Sequence, residues 1–216
     1  MIRRQLPNQL TVLRLVLAGV FFLVLNQFRF ERGHENGYIL WIAMGIFIVA
    51  MLTDIADGYL ARRWKVESTF GRIMDPFVDK VMVLGAFIYL AGPRFVDPQA
   101  VLGDSIVFDM IAGNMISGIY PWMVATMLAR ELLVTAIRSE LEREGLRFGA
   151  KTSGKLKTLL QAIGIPFILG IVALDPTVPS HTWMHWVRDA FAYAMVFATV
   201  ISGLPYITGA ARAMKR

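Results

Sequence analysis

The chain has 216 residues, 56% hydrophobic and only 18% charged, which is too apolar for an ordinary water-soluble domain of this length. It contains no cysteine, and this excludes a disulfide framework, a thiolate metal site and a cysteine nucleophile. The net charge of +6 raises the question of a nucleic-acid partner. In a membrane protein, however, a basic excess belongs to cytoplasmic loops, so no nucleic acid is expected.

The apolar residues fall in uncharged runs approaching the roughly 20 residues that a helical span requires. Six segments qualify in chain order: Gln9–Phe28, Tyr38–Arg62, Pro76–Gly92, Ile119–Gly145, Lys155–Leu174 and Val187–Ala211. No β-barrel alternation is visible, so a helical bundle is the remaining way to span a bilayer. The expected fold is an all-α integral membrane protein, a six-transmembrane-helix bundle formed by a single domain over residues 1–216. The first segment has the basic start of a signal peptide. Arg14 breaks its apolar stretch and no small-x-small site follows, so it reads as a mature helix.

Six helices alternate sides. All but four of the 22 Lys and Arg then share one side with both termini, leaving Arg29, Arg32, Arg94 and Arg188 opposite. The basic side, with both termini, is predicted to be cytoplasmic. Trp41, Trp122, Trp183 and Trp186 fall near the opposite interface, where amphipathic rings anchor a bundle. Residues 93–118 form the longest connection, part of which is expected to lie along the outer surface as an amphipathic helix. His181 and His185 stand four apart, but they lie far from any acid cluster and lack a third ligand, so a metal role is not assigned to them.

The informative stretch begins at Asp54 and ends at Asp79. Asp54 and Asp57 are three apart and share a helix face, which Gly58 and Ala61 continue. Gly71 follows, then Asp75 and Asp79, four apart on the next helix. Asp75 before Pro76 suits an N-cap with proline at the first helical position. Ionisable groups at membrane depth face a bundle interior or a wet cavity. Four carboxylates at facing helix ends repel one another unless they are neutralised. An all-oxygen site of this kind selects magnesium, manganese or calcium, and four acids suit two ions. The competing reading makes each aspartate an exposed helix-end acid paired with Arg62, Arg63, Lys65 or Arg72.

The full spacing, D-x2-D-G-x2-A-R-x8-G-x3-D-x3-D, resembles the signature of the CDP-alcohol phosphatidyltransferase family, and every position matches. Near the start, Pro7-Asn8-Gln-Leu-Thr11-Val-Leu-Arg14 is similar to the family's N-terminal motif. Ala129-Arg130-Glu131, Thr135, Arg138 and Gly154-Lys155-Leu-Lys157-Thr158 resemble the branch whose acceptor is glycerol 3-phosphate. The resemblance implies that Asp54, Asp57, Asp75 and Asp79 bind two divalent cations, Mg2+ or Mn2+. It implies Asp79 as general base. It places Asn8, Thr11, Asp57, Gly58, Ala61, Arg62, Gly71 and Asp75 around the CDP group. It further implies a homodimer in the cell (inner) membrane, with its active site at the cytoplasmic face.

The expected reaction moves the phosphatidyl group of CDP-diacylglycerol onto sn-glycerol 3-phosphate, giving phosphatidylglycerol phosphate and CMP. The acyl chains stay in the membrane lipid. Metals offset the pyrophosphate charge, and a carboxylate takes the acceptor's hydroxyl proton. Asp79 fits because it lies deeper than Asp75. The acceptor's own phosphate needs cations, and Arg130, Arg138, Lys151, Lys155 and Lys157 gather at that membrane depth. Two rivals remain. The same site could serve another alcohol (phosphatidylglycerol, inositol phosphate or serine). A divalent-cation transporter would need acids through the bilayer centre and often repeated halves, and neither is visible.

Overall fold

A computed structural model describes residues 2–30, 33–64, 69–97, 115–143, 152–174 and 183–213. For 2–8, 33–35, 60–62, 69–73, 142, 152–153 and 212–213 it gives helical backbone alone. Six long helices account for nearly all of these residues: α1 (Ile2–Leu25), α2 (Gly33–Trp64), α3 (Thr69–Leu90), α4 (Pro121–Arg143), α5 (Thr152–Leu174) and α6 (Trp183–Ala213). At about 1.5 Å per residue, even α3 with its 22 residues exceeds the roughly 30 Å of a hydrocarbon core. In lipid a helix satisfies its own backbone, so apolar runs of this length have no cheaper conformation.

Three of the helices contain stretches both long and apolar enough to cross a membrane: Asn36–Tyr59, Gly154–Leu174 and Trp183–Ala211. In α1 the apolar part is shorter, Gln9–Leu25. The other two, α3 and α4, carry Asp75, Asp79 and Lys80, and Arg130, Glu131 and Arg138. The six expected spans thus appear as six helices, of which three qualify by composition. The charges of the candidate site lie on both kinds of helix, since Asp54 and Asp57 fall in the qualifying stretch of α2 and Lys157 in that of α5.

α1 packs between α2 and α3; α2 leans on α5, α5 on α6, and α4 on α6. The core joins Phe21, Leu25, Leu40, Phe47, Met82, Phe87 and Ile168, all without exposed surface. Phe21 and Phe47 bring α1 to α2 with ring centroids 5.6 Å apart. Phe22 stacks on Tyr89 at 5.3 Å and lies over Gly85, where an added Cβ would sit 2.2 Å from the ring. Glycine at 85 is therefore what lets α1 and α3 approach. Large apolar side chains such as Leu23, Ile55, Leu132 and Phe197 are exposed around the bundle. On a soluble protein such a surface would aggregate, whereas here it faces lipid. Trp41, Trp122, Trp183 and Trp186 are exposed too, each in the half of its helix away from the aspartates.

Several helices start earlier than the sequence reading has them, among them α1 at Ile2 rather than Gln9 and α2 at Gly33 rather than Tyr38. α3 begins at Thr69, so Asp75 is not an N-cap and Pro76 lies inside the helix. A proline there removes one backbone hydrogen bond, a defect that packed membrane helices tolerate. α6 begins at Trp183 rather than Val187.

The ends of the long 93–118 connection are fastened. Pro93–Phe95 forms a 3₁₀ turn, Val96 bridges Met115, and Ser117 Oγ donates to the Leu90 carbonyl at 2.6 Å. The expected amphipathic helix would fall in 98–114, outside the described residues. Gly118 closes the segment at φ +66°, where a Cβ would be 2.5 Å from Asp189 Oδ1. Both the backbone conformation and the space demand glycine.

Candidate active site

The second half of α2, the first half of α3 and the middle of α1 meet at the end of the bundle opposite the 93–118 connection. α1 acts as the strut. Arg14 has no exposed surface, and its guanidinium contacts both Asp54 and Asp57 of α2. One turn earlier on the same face of α1, buried Thr11 donates its hydroxyl to Asp75 Oδ1 of α3 at 2.6 Å. Two α1 residues three apart therefore bind acids from two different helices. Asp75 lies near enough for its charge to act on Asp54 and Asp57, and Asp54 near enough to act on Asp79. The four aspartates thus form one cluster. Asp57 is buried, while Asp54, Asp75, Asp79 and Gly58 are half-buried.

The donors are all carboxylate oxygens, the chemistry that takes hard divalent cations. By type, the residues fit the expected ions. Among the described residues no three His, Asp or Glu side chains close tightly enough to hold one ion. The two α2 acids close on Arg14 instead, so a guanidinium stands among the donors that would take a cation.

Asp79 faces in a second direction. It lines a cavity of about 470 Å³ together with Lys80, Arg130, Glu131, Arg138 and Lys157. Pro76, Thr135, Gly154, Gln161 and Tyr206 complete much of the wall. Four cations face two carboxylates here, so the lining carries two net positive charges. A phosphate monoester carries between about −1.5 and −2 near neutral pH, a matching charge.

Glu131 organises the cations. Its Oε1 accepts from Lys157 Nζ at 2.5 Å and from Arg130 Nη1 at 2.6 Å. Arg130 Nη2 reaches Ser202 Oγ at 2.8 Å, and Ser202 in turn donates to the Thr199 carbonyl. Gln161 Nε2 donates to Thr199 Oγ1 at 3.3 Å. This buried chain ties α4, α5 and α6 together beneath the cavity. From α3, Lys80 Nζ donates to Thr135 Oγ1 of α4 at 2.6 Å.

Asp54, Asp57, Asp75, Asp79, Thr11 and Gly58 belong to the acid end, and Arg130, Arg138 and Lys157 to the cavity. Lys155 is exposed and does not line the cavity. The side chains of Asn8, Ala61, Arg62 and Gly71, and all of Lys151 and His181, lie outside the described residues. Arg14, Lys80 and Glu131 were not among the candidates. For Arg14 a signal existed, a lone cation in an apolar helix three residues after Thr11. His185 is buried against Arg188 Nη1 at 3.1 Å, a structural contact in the other half of the molecule.

A family model for CDP-alcohol phosphatidyltransferase matches residues 4–201. A probable phosphatidylglycerophosphate synthase of Mycobacterium tuberculosis is 34% identical over 208 residues, 96% of this chain and 82% of that protein. A CDP-diacylglycerol–glycerol-3-phosphate 3-phosphatidyltransferase of Bacillus subtilis is 30% identical over 215 residues, 97% of both chains. A protein of the same description from Cereibacter sphaeroides is 34% identical over 195 residues, 87% of this chain and 75% of its own.

Proposed function

The chain belongs to the CDP-alcohol phosphatidyltransferase family, and we infer that it transfers the phosphatidyl group of CDP-diacylglycerol to sn-glycerol 3-phosphate, releasing CMP. The observation that carries this reading is the position of Asp79, at once within the aspartate cluster and on the wall of a cationic cavity. A transferase needs its acid groups beside one substrate and its proton acceptor beside both.

In this reading the donor's pyrophosphate lies at Asp54, Asp57 and Asp75, with its acyl chains in the surrounding lipid. Asp54, Asp57, Asp75 and Asp79 would hold two divalent cations, Mg2+ or Mn2+, which when bound offset the pyrophosphate charge and favour departure of CMP. Glycerol 3-phosphate occupies the cavity, its phosphate on Arg138, Lys157 and Arg130. Glu131 holds Lys157 and Arg130 in place before the substrate arrives. A free hydroxyl of the acceptor gives its proton to Asp79 as its oxygen bonds to the phosphorus that bears diacylglycerol. The bond from that phosphorus to the CMP oxygen breaks. No enzyme-bound intermediate is required.

The excess of Lys and Arg in the loops at this end supports a cytoplasmic active site in the cell membrane, with both termini on the same side. A homodimer, implied by the family resemblance, is checked by the mass of the detergent-solubilised protein. The function itself is tested by CMP release from CDP-diacylglycerol with one acceptor at a time. Glycerol 3-phosphate is expected to support release, and chelation of divalent ions to stop it. Release with serine, inositol phosphate or phosphatidylglycerol, but none with glycerol 3-phosphate, would overturn the acceptor assignment.

A further inference from the structure

Among the described residues Arg14 is the most deeply buried cation. Arg–carboxylate pairs are frequently bidentate, with two parallel N–H bonds to one carboxylate. Arg14 is divided between two, touching Asp54 through Nη1 and Asp57 through Nη2. Its Nε has no hydrogen-bond partner among the described residues, so donor capacity is left over in a place without solvent. Arginine does not release its proton in proteins, so the positive charge is permanent. It stands between the two α2 acids to which the metal reading also gives a divalent ion.

We infer that Arg14 is a resident counter-ion, which neutralises Asp54 and Asp57 in the metal-free protein and competes with an incoming divalent cation for those two carboxylates. This rests on the reading of the aspartates as metal ligands. Without Arg14 two close acids would face each other with nothing between them in a low-dielectric interior, and the bundle would resist closing there. With it, the empty site is stable, and a metal ion must draw at least one carboxylate away. Asp54, the more exposed of the two, is the carboxylate a metal ion reaches first. The empty enzyme accordingly binds metal less tightly than its four acids alone would.

The test uses full-length protein in detergent, with Mn2+ alone as probe and neither lipid donor nor acceptor present. Binding is read from the loss of the free Mn2+ paramagnetic signal, and the rise in melting temperature on saturation is read in parallel. Arg14→Gln is expected to bind Mn2+ at least ~10-fold more tightly than the unaltered protein, since a unit charge a few ångströms away has been removed. It is also expected to melt lower without metal and to gain more from its addition. Arg14→Lys keeps a charge but loses the planar fork that divides Arg14 between the two carboxylates, so a smaller tightening of about threefold is expected. It serves as the test if Arg14→Gln does not fold. Binding by a folded variant no tighter than that of the unaltered protein would overturn the inference and leave the metal reading standing. Absence of Mn2+ binding in the unaltered protein, or equal binding by Asp57→Asn, would overturn both.

Discussion

At the loop end of the bundle Arg188 is buried, and every nitrogen of its guanidinium has a partner. Nε and Nη2 reach Asp189 Oδ1 at 2.8 and 2.7 Å, and Nη1 donates to the Ile116 carbonyl at 2.7 Å beside His185. At the acid end Arg14 is buried more deeply, yet its Nε hydrogen-bonds nothing among the described residues, and Arg130 Nε is in the same condition. Both ends place cations at membrane depth, where charge is expensive. The difference lies in what remains after the protein has bonded to itself. Arg188 is fully spent on fastening the connection before α4 to the start of α6. Arg14 and Arg130 border surplus acids or open volume, and each keeps an Nε for something that is not protein. Buried charge alone does not mark a site; buried charge with unspent bonding capacity does.

The sharpest way to break this contrast is Asp79→Asn. The amide keeps the shape and loses the base, so turnover should fall by about 10²- to 10⁴-fold, the usual worth of general base catalysis. Binding of CDP-diacylglycerol, followed by titration, should change little. Retained turnover would remove Asp79 from its role. Next comes Arg138→Ala. A charge-assisted hydrogen bond contributes about 1.5–3 kcal/mol, so KM for glycerol 3-phosphate should rise roughly 10- to 100-fold. The donor's KM should stay within about twofold. Equal effects on both substrates would deny the cavity its selectivity for the acceptor. At the other end, Arg188→Met leaves the Ile116 carbonyl and Asp189 without their partner, a loss of about 1–3 kcal/mol of stability. The melting temperature should drop while both KM values and kcat hold. A kinetic change there would mean that the two ends are coupled.

The six helices were legible because a bilayer leaves the backbone few options, so apolar run length carries the fold. The start of α3 was not, because Asp75-Pro76 has the form of a capped helix start, and nothing local shows that Thr69–Met74 continue the same helix. The aspartate cluster was legible from spacing, since periods of three and four keep side chains on one face. Its counter-ion was not. Arg14 lies 43 residues from Asp57 in the chain, and their contact exists only because α1 packs between α2 and α3. The role of Glu131 is hidden in the sequence for a similar reason. Beside Arg130 it reads as a neutral local pair, whereas the structure brings Lys157 to the same carboxylate oxygen.

Lys155 gives the smallest expected effect and the finest test of the cavity. In sequence it looks as good a phosphate ligand as Lys157, two residues on. On a helix two residues are about 200° of rotation, so the two lysines occupy opposite faces. Lys157 shares its face with Gly154 and Gln161, three before and four after it, and all three line the cavity. Lys155 is exposed, next to Leu156 and four residues before Leu159, which are exposed as well. An exposed cation on that face contributes little to a site it does not reach. Lys155→Ala should therefore leave KM for glycerol 3-phosphate within about twofold, against a much larger rise for Lys157→Ala. Should the two substitutions raise KM alike, the acceptor phosphate would have to lie on the outer face of α5, and the cavity would lose its assigned occupant.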